Sequence, residues 1–180
     1  VVPLNIRLRP LTLDDLDAIM GWINDPDIVR NFARLSGPIT RAEEEAFLVA
    51  TLASQTDRLW AVERDDGKYL GNAGVHKIWW PSRNGRLGLV IGDKSAHGRG
   101  VGSQAMRALC AKAFDELGLH KVWLMRFADN HRMGRIAEKL GFVAEGVLRD
   151  EYFHAGAYHD MVRYSLLEHE WRAGAGSTHA

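Results

Sequence analysis

The sequence predicts a single α+β domain built on a mixed, largely antiparallel sheet, and three observations carry that prediction. Strand-like alternation and helix-like periodicity take turns along the 180 residues, with no internal repeat, linker or low-complexity block. Two β-like runs, 59–63 and 69–78, are joined by Asp65-Asp66-Gly67, which is hairpin chemistry because Gly accepts positive φ. Two further β-like runs, 142–148 and 158–167, close the domain in succession. The domain is expected over 1–171, with a flexible C-terminal tail over 172–180 carrying Gly174, Gly176 and Ser177.

The elements follow in order. Leu4, Ile6 and Leu8 alternate in a strand that ends at Pro10, and Thr12-Leu13-Asp14-Asp15 then has the form of a capping box before a helix through Leu16, Ile19 and Met20. Asn24-Asp25-Pro26-Asp27 breaks that helix, a helical turn through Ile28 and Val29 follows, and Ser36-Gly37-Pro38 is a second break. Thr40 with Glu43 three residues on opens a helix through Phe47, Leu48 and Leu52. After the hairpin, Pro81-Ser82-Arg83-Asn84-Gly85 precedes a strand through Leu87, Leu89, Val90 and Ile91. A Gly-rich segment over 97–102 leads into a helix whose apolar stripe is Val101, Ala105, Ala108, Leu109, Phe114 and Leu117, with Gly118 as its stop. A strand over 121–127 and a helix over 130–140, ended by Gly141, complete the series before the closing strands.

Composition narrows the partners. Lys+Arg 23 against Asp+Glu 23 gives a formal charge of +0, so nothing in the balance calls for nucleic acid or a membrane surface. No run approaches the roughly 20 apolar residues of a spanning helix, and Val1-Val2-Pro3-Leu4-Asn5-Ile6-Arg7 lacks the pattern of a signal peptide. Cys110 is the only cysteine, which allows no intramolecular disulfide and suits a reducing compartment. A cytoplasmic location is expected. No metal is expected either, since His154 and His159 are not at a ligand spacing.

The chemistry concentrates where a strand meets a helix, at Ile91-Gly92-Asp93-Lys94-Ser95-Ala96-His97-Gly98-Arg99-Gly100-Val101-Gly102-Ser103. Unpaired N–H groups at a helix start attract phosphate, and alternating glycines let its oxygens reach the backbone. Arg99 can add a charge-assisted contact. Taken alone, the segment reads equally well as a glycine-rich turn entering a helix. A Walker loop is excluded because no Gly-Lys-Ser/Thr string stands four residues after a glycine. A dinucleotide fingerprint fits poorly, because the spacing is GxGxG, several strands precede it, and no acid stands near Leu119-His120.

His97-Gly98-Arg99-Gly100-Val101-Gly102 resembles the pyrophosphate loop of the GNAT superfamily of acyl-CoA-dependent N-acetyltransferases, with His97 in place of the family's Gln or Arg. The segment from Asn130-His131-Arg132-Met133-Gly134-Arg135 to Leu140-Gly141-Phe142 looks like the family's Asn-led helix, and Glu145-Gly146 and Tyr158-His159-Asp160 look like its closing strands. Trp22-Ile23-Asn24-Asp25-Pro26 resembles one branch of the superfamily, and within it the chain is most similar to the ribosomal-protein alanine/serine N-acetyltransferases and related enzymes of polyamines and small amines, a branch that Ala137 favours. The resemblance implies a twisted sheet flanked by helices with splayed central strands, and acetyl-CoA as co-substrate. It also implies a donor site made of Leu89, Val90, Ile91, His97, Gly98, Arg99, Gly100, Val101, Gly102, Ser103, Asn130 and Arg135. Where many members carry a tyrosine that protonates the departing thiolate, this chain has Ala137. Met133 stands where the branch often has serine, and a family glutamate on the preceding strand falls at Arg86.

The implied reaction is direct attack of a neutral amine on the thioester. Glu151, Tyr152 and His76 are the candidates for handling the proton, with His159 and Asp160 beside them. An α-amine of pKa about 8 is already partly neutral at pH 7, whereas an amine near 10.4 needs about three pH units, or roughly 4 kcal/mol, of deprotonation. With no obvious strong base, the expected acceptor is a protein or peptide N-terminus or another weakly basic amine. Polyamine, amino-sugar or antibiotic acceptors are the alternative. A non-catalytic acyl-CoA sensor and, further off, a nucleotide-binding oxidoreductase are the rivals of other classes. Trp79-Trp80-Pro81 has three roles open to it: lining the acceptor site, forming a homodimer interface, or packing over the sheet.

Overall fold

The sheet begins at Ile6–Pro10 (β1), which pairs antiparallel with Arg58–Arg64 (β2). The chain then turns through Gly67, at φ +85°, into Tyr69–Trp79 (β3). Asn84–Ile91 (β4) is antiparallel to β3, and Lys121–Phe127 (β5) lies parallel to β4. Val143–His154 (β6) and Ala157–Leu167 (β7) complete the order β1-β2-β3-β4-β5-β7-β6. The computed structural model describes residues 4–30 and 38–175. Of the break expected at Ser36-Gly37-Pro38, Ser36 and Gly37 lie outside them. The mixed, largely antiparallel sheet is as expected, with β4 and β5 as its parallel pair.

Helices cover both faces. Leu16–Met20 (α1), Pro26–Val29 (α2) and Arg41–Leu52 (α3) lie on one, where Leu16, Ile19, Trp22, Ile28 and Leu48 bury together. The capping box that starts α3 forms as its sequence predicts: Thr40 N–H donates to Glu43 Oε2 at 2.8 Å, and Glu43 N–H to Thr40 Oγ1 at 3.3 Å. Val101–Ala111 (α4) and His131–Lys139 (α5) lie on the other face. There Val101, Ala105, Leu109 and Phe114 meet Val62, Val75 and Leu87 from the sheet, in the larger of the two cores. α4 continues in wider π-helical register over Lys112–Glu116 and stops before Gly118, at φ +63°.

Two boundaries differ from expectation. β6 runs six residues past Leu148, because after a bulge Tyr152, Phe153 and His154 pair again with His159, Tyr158 and Ala157. The tail expected from Arg172 is helical at its start. Glu168–Ala175 (α6) forms there, Arg172 pairs with Glu168 at 3.0 Å, and Trp171 stacks on Phe114. Residues 176–180 lie outside the described residues.

One ion cluster fastens the N-terminal edge. Arg9 lies between Asp15 and Glu63, both within 2.5 Å, and Arg7 also reaches Glu63. Both carboxylates are buried, and hydrogen bonds from Arg9 and Arg7 hold Glu63 below the usual range. Among the described residues, no helix is long and apolar enough to cross a membrane.

Candidate active site

The two parallel strands part almost as soon as they meet. β4 and β5 are paired at Asn84 with Lys121, Gly85 with Val122 and Arg86 with Trp123, and no farther. Among the described residues, no strand lies beside one edge of β4 from Leu87 to Ile91, so a cleft opens in the middle of the sheet. This is the splay expected of the central strands. Gly92 N–H donates to the Leu70 carbonyl, so the even residues of β4 turn their backbone toward β3. Leu89 and Ile91 turn theirs into the cleft. Val90 faces the other way on both counts: its backbone pairs with Asn72, and its side chain joins the core beneath α1 and α3.

The chain leaves β4 under close restraint. Gly92 must be glycine, because a Cβ there would fall 2.2 Å from the Trp22 ring. Lys94 reaches Asp25 at 2.7 Å and Asp27 at 2.9 Å, while Asp93 pairs with Lys68. His97 Nε2 is 2.8 Å from the Ile91 carbonyl, an acceptor, so that nitrogen carries the proton and ties the loop back to its strand. Gly98 and Gly100 have φ of +74° and +80°, and a side-chain carbon would meet nothing at Gly98 and only Gln104 Nε2, at 3.8 Å, at Gly100. Conformation, then, is what demands glycine at both positions. Gly102 differs: a Cβ there would come 3.3 Å from Ile136, so its bareness lets α5 approach α4. Gly100 caps α4 and leaves the N–H groups of Val101, Gly102 and Ser103 without intrahelical partners. The positive end of an 11-residue helix thus stands at the open end of the cleft. Arg99 is half-buried in the same turn.

The far wall is made of side chains. Phe127 ends β5, and Tyr152, His154 and His159 gather on it at ring-centroid distances of 6.3, 5.7 and 5.5 Å. Asn130 Oδ1 accepts from Met133 N–H at 3.2 Å and caps α5. Arg135 is exposed on α5, one residue before the Ile136 that packs on Gly102. Ala137 is fully buried in the core. Arg126 holds the turn between β5 and α5 by donating to the carbonyls of Phe127 and Ala128 at 3.0 and 2.6 Å and to the Tyr164 hydroxyl at 3.1 Å.

The three candidates for proton handling do not converge. His76 lies on β3 with its imidazole over Gly74 and Gly88, and Nδ1 is 3.0 Å from Asp57. Tyr152 belongs to the opposite wall through Phe127. Glu151 sits in the bulge of β6 at the rim of an open cavity of about 640 Å³, with Val147, Leu148, Arg149, Asp150 and Asp160. Three strand spacings, about 14 Å, separate β6 from β4. Asp160 accepts from Asp150 N–H at 2.8 Å and fastens that bulge. Trp79 and Trp80 stand at the closed end, where β4 and β5 are still paired, and Trp80 Nε1 donates to the Gln55 carbonyl at 3.0 Å. Cys110 is buried, and desolvation pushes its thiol up to about 12, so it is no nucleophile at neutral pH. Among the described residues no cluster could hold a metal ion.

Sequence reasoning missed Asp57 and the pairing of Arg126 with Gly134. A Cβ on Gly134 would come 2.9 Å from Arg126 Nε. The signal was available, since a glycine inside a helix costs about 1 kcal/mol and points to a close approach. Asp57 gave no such sign, because its partner His76 is 19 residues away.

The arrangement matches known proteins. The family model for the acetyltransferase (GNAT) domain matches residues 5–143. YdaF of Bacillus subtilis, provisionally named a ribosomal N-acetyltransferase, is 35% identical over 106 residues, which is 59% of this chain and 57% of that protein. Spermidine N(1)-acetyltransferase of Escherichia coli is 26% identical over 170 residues, or 94% of this chain and 89% of that one. The crystal structure of spermidine N-acetyltransferase from Vibrio cholerae with CoA and spermine superposes at a TM-score of 0.87 with 24% identity, covering 93% of this chain and 98% of that one.

Proposed function

The chain belongs to the GNAT acetyltransferase family, and on that premise we propose that it moves an acetyl group from acetyl-CoA directly to a primary amine. One observation carries the reading: the cleft in the sheet and the bare helix start lie at the same end of β4. A pyrophosphate fits the N–H groups of Val101, Gly102 and Ser103, with Gly98 and Gly100 shaping the turn. Arg99 and Arg135 supply charge beside it. His97 acts by fixing the loop rather than by touching phosphate, because its ring is engaged with Ile91. The pantetheine arm runs along Leu89 and Ile91, whose backbone groups face the cleft, with Val90 holding the strand in place from behind. The Leu89 N–H is in position to donate to the thioester oxygen, where negative charge grows as the amine attacks. Asn130 shapes the opposite wall as the cap of α5. Tyr152 stands on that wall as the proton donor for the departing thiolate, Ala137 being buried and unable to serve.

For the acceptor, the relatives that span nearly the whole chain favour a small polyamine-type amine over the peptide N-terminus that the sequence suggested. Glu151, with Asp150 and Asp160, gives the β6–β7 cavity a carboxylate rim suited to a second cationic group of such an acceptor. The peptide N-terminus stays as the second reading on two observations, the likeness to YdaF over 106 residues and Arg86 at the branch point of β4 and β5. A cation at that point disfavours a polycation. Calorimetric titration with acetyl-CoA, followed by thiol release across spermidine, spermine, amino sugars and peptide N-termini, separates these. Release with spermidine or spermine supports the first reading, and release with peptides alone supports the second. Binding without release from any amine points to an acyl-CoA sensor, and no binding overturns the site.

A further inference from the structure

His76 rests on a platform made by two absences. Gly74 and Gly88 are register partners on β3 and β4; a Cβ on Gly74 would lie 2.7 Å from His76 Nε2 and one on Gly88 3.2 Å from it. A side chain at Gly74 would displace the ring, and one at Gly88 would press on it. The ring therefore reaches from β3 across to Gly88, two residues past Arg86, where β5 has just left β4. Its other nitrogen, Nδ1, is 3.0 Å from Asp57 Oδ1. Asp57 is itself fixed, since its Oδ2 accepts from Ser54 Oγ at 2.7 Å and Thr56 Oγ1 at 3.2 Å. Burial raises its pKa, but the hydrogen bonds from Ser54, His76 and Thr56 outweigh that and hold it below the usual carboxylate range. A carboxylate only accepts, so Nδ1 carries the proton and Nε2 is the basic nitrogen of the neutral ring. The other charged group facing His76 is Arg86, its cross-strand partner on β4; Leu59 from β2 packs on Gly74.

Resting on the acetyl-transfer reading above, we propose that His76 is the general base for the acceptor amine, with Asp57 as its positioning residue. The neutral amine nitrogen bonds to the thioester carbon and the carbon–sulfur bond breaks. CoA leaves as thiolate and takes a proton, while the proton lost from nitrogen passes to His76 Nε2 and on to water. The His76 ring lies over Gly88 of the β4 wall, with Asp57 behind it, opposite Tyr152 on the β5 wall, so proton removal and thiolate protonation fall to different sides of the cleft.

The test is thiol release by the full chain between about pH 5.5 and 9.5, with the amine that turns over fastest, for the native protein, His76→Gln and Asp57→Asn. Acetyl-CoA affinity is measured alongside. His76→Gln is expected to lose about 100-fold in kcat with CoA affinity unchanged and to leave the acid limb of kcat/KM with the amine's own ionisation alone, one proton shallower than in the native protein. Asp57→Asn is expected to lose about 10-fold and to move that limb to lower pH, because the ring no longer has a carboxylate to stabilise its charge. Equal kcat and an unchanged limb in His76→Gln overturn the proposal while leaving the acetyl-transfer reading intact. No thiol release by the native protein with any amine overturns both. Should either variant fail to fold, the tautomer in the native protein decides: long-range nitrogen–proton spectra are expected to show His76 protonated on Nδ1 at pH 8, and a proton on Nε2 instead overturns it.

Discussion

The two walls of the cleft are built on different principles. The β4 wall is backbone and absence: Leu89 and Ile91 offer main-chain groups, Gly98 and Gly100 shape the turn, and Gly74 and Gly88 make room for an imidazole. The β5 wall is side chains from three strands, with Tyr152, His154 and His159 meeting on Phe127. A wall of main chain suits a donor whose chemistry never varies. A wall of side chains is the one that substitution can reshape, so it is the natural place for acceptor choice to reside.

Removing the centre of the β5 wall should give the largest effect. Phe127→Ala is expected to lower stability by roughly 3–5 kcal/mol and to raise KM for the amine while leaving acetyl-CoA affinity near its original value. Thermal melts and steady-state kinetics read both, and a loss of CoA affinity equal to the change in KM would mean the walls are not independent. On the β4 side, Gly100→Glu sets a side chain at φ +80° and a negative charge in the cradle, and is expected to weaken CoA binding about 100-fold in a folded protein. Undiminished CoA affinity would remove the cradle from the donor site. Gly134→Ala tests how the β5 wall is held. In an ordinary helix this change stabilises by about 1 kcal/mol. Here it should destabilise by roughly 1–3 kcal/mol, because the new Cβ meets Arg126. A higher melting temperature would show that the guanidinium moves aside at no cost.

The smallest effect should come from outside the cleft. Glu63→Gln is expected to cost about 1 kcal/mol or less at neutral pH, since Arg7 is largely exposed. Glu63 has a lowered pKa in the folded chain, so its contribution is complete above the unfolded value near ~4.3 and fades as pH falls through the folded one. Melting temperatures of the native and variant proteins should therefore draw together as pH falls below ~4.3. A gap that does not change with pH would assign the effect to packing.

The same division explains what the sequence made legible. The hairpin at Gly67, the capping box of Thr40 and Glu43, and the glycines before α4 are local: each sets a backbone conformation within a few residues, and each is where the pattern placed it. The β5 wall depends on β7 lying between β5 and β6, and on a bulge that lets β6 resume pairing at Tyr152. No short window encodes that. Glu151 and Tyr152, adjacent in sequence, part company for this reason, one on the rim of an open cavity and the other on Phe127. Asp57 and His76 meet where the start of β2 lies beside β3, too far apart in sequence for a spacing rule to join them.

A sheet that opens in its middle has a property that edges usually keep to themselves. The amides of Leu89 and Ile91 lie in a central strand yet, among the described residues, have no strand beside them on the cleft side. In deuterated water they should exchange as quickly as those of a terminal strand, while Val90 between them, bonded to β3, exchanges slowly. A bound donor would slow Leu89 and Ile91 and leave Val90 as it was. Three consecutive residues thus carry their own internal reference for occupancy of the cleft.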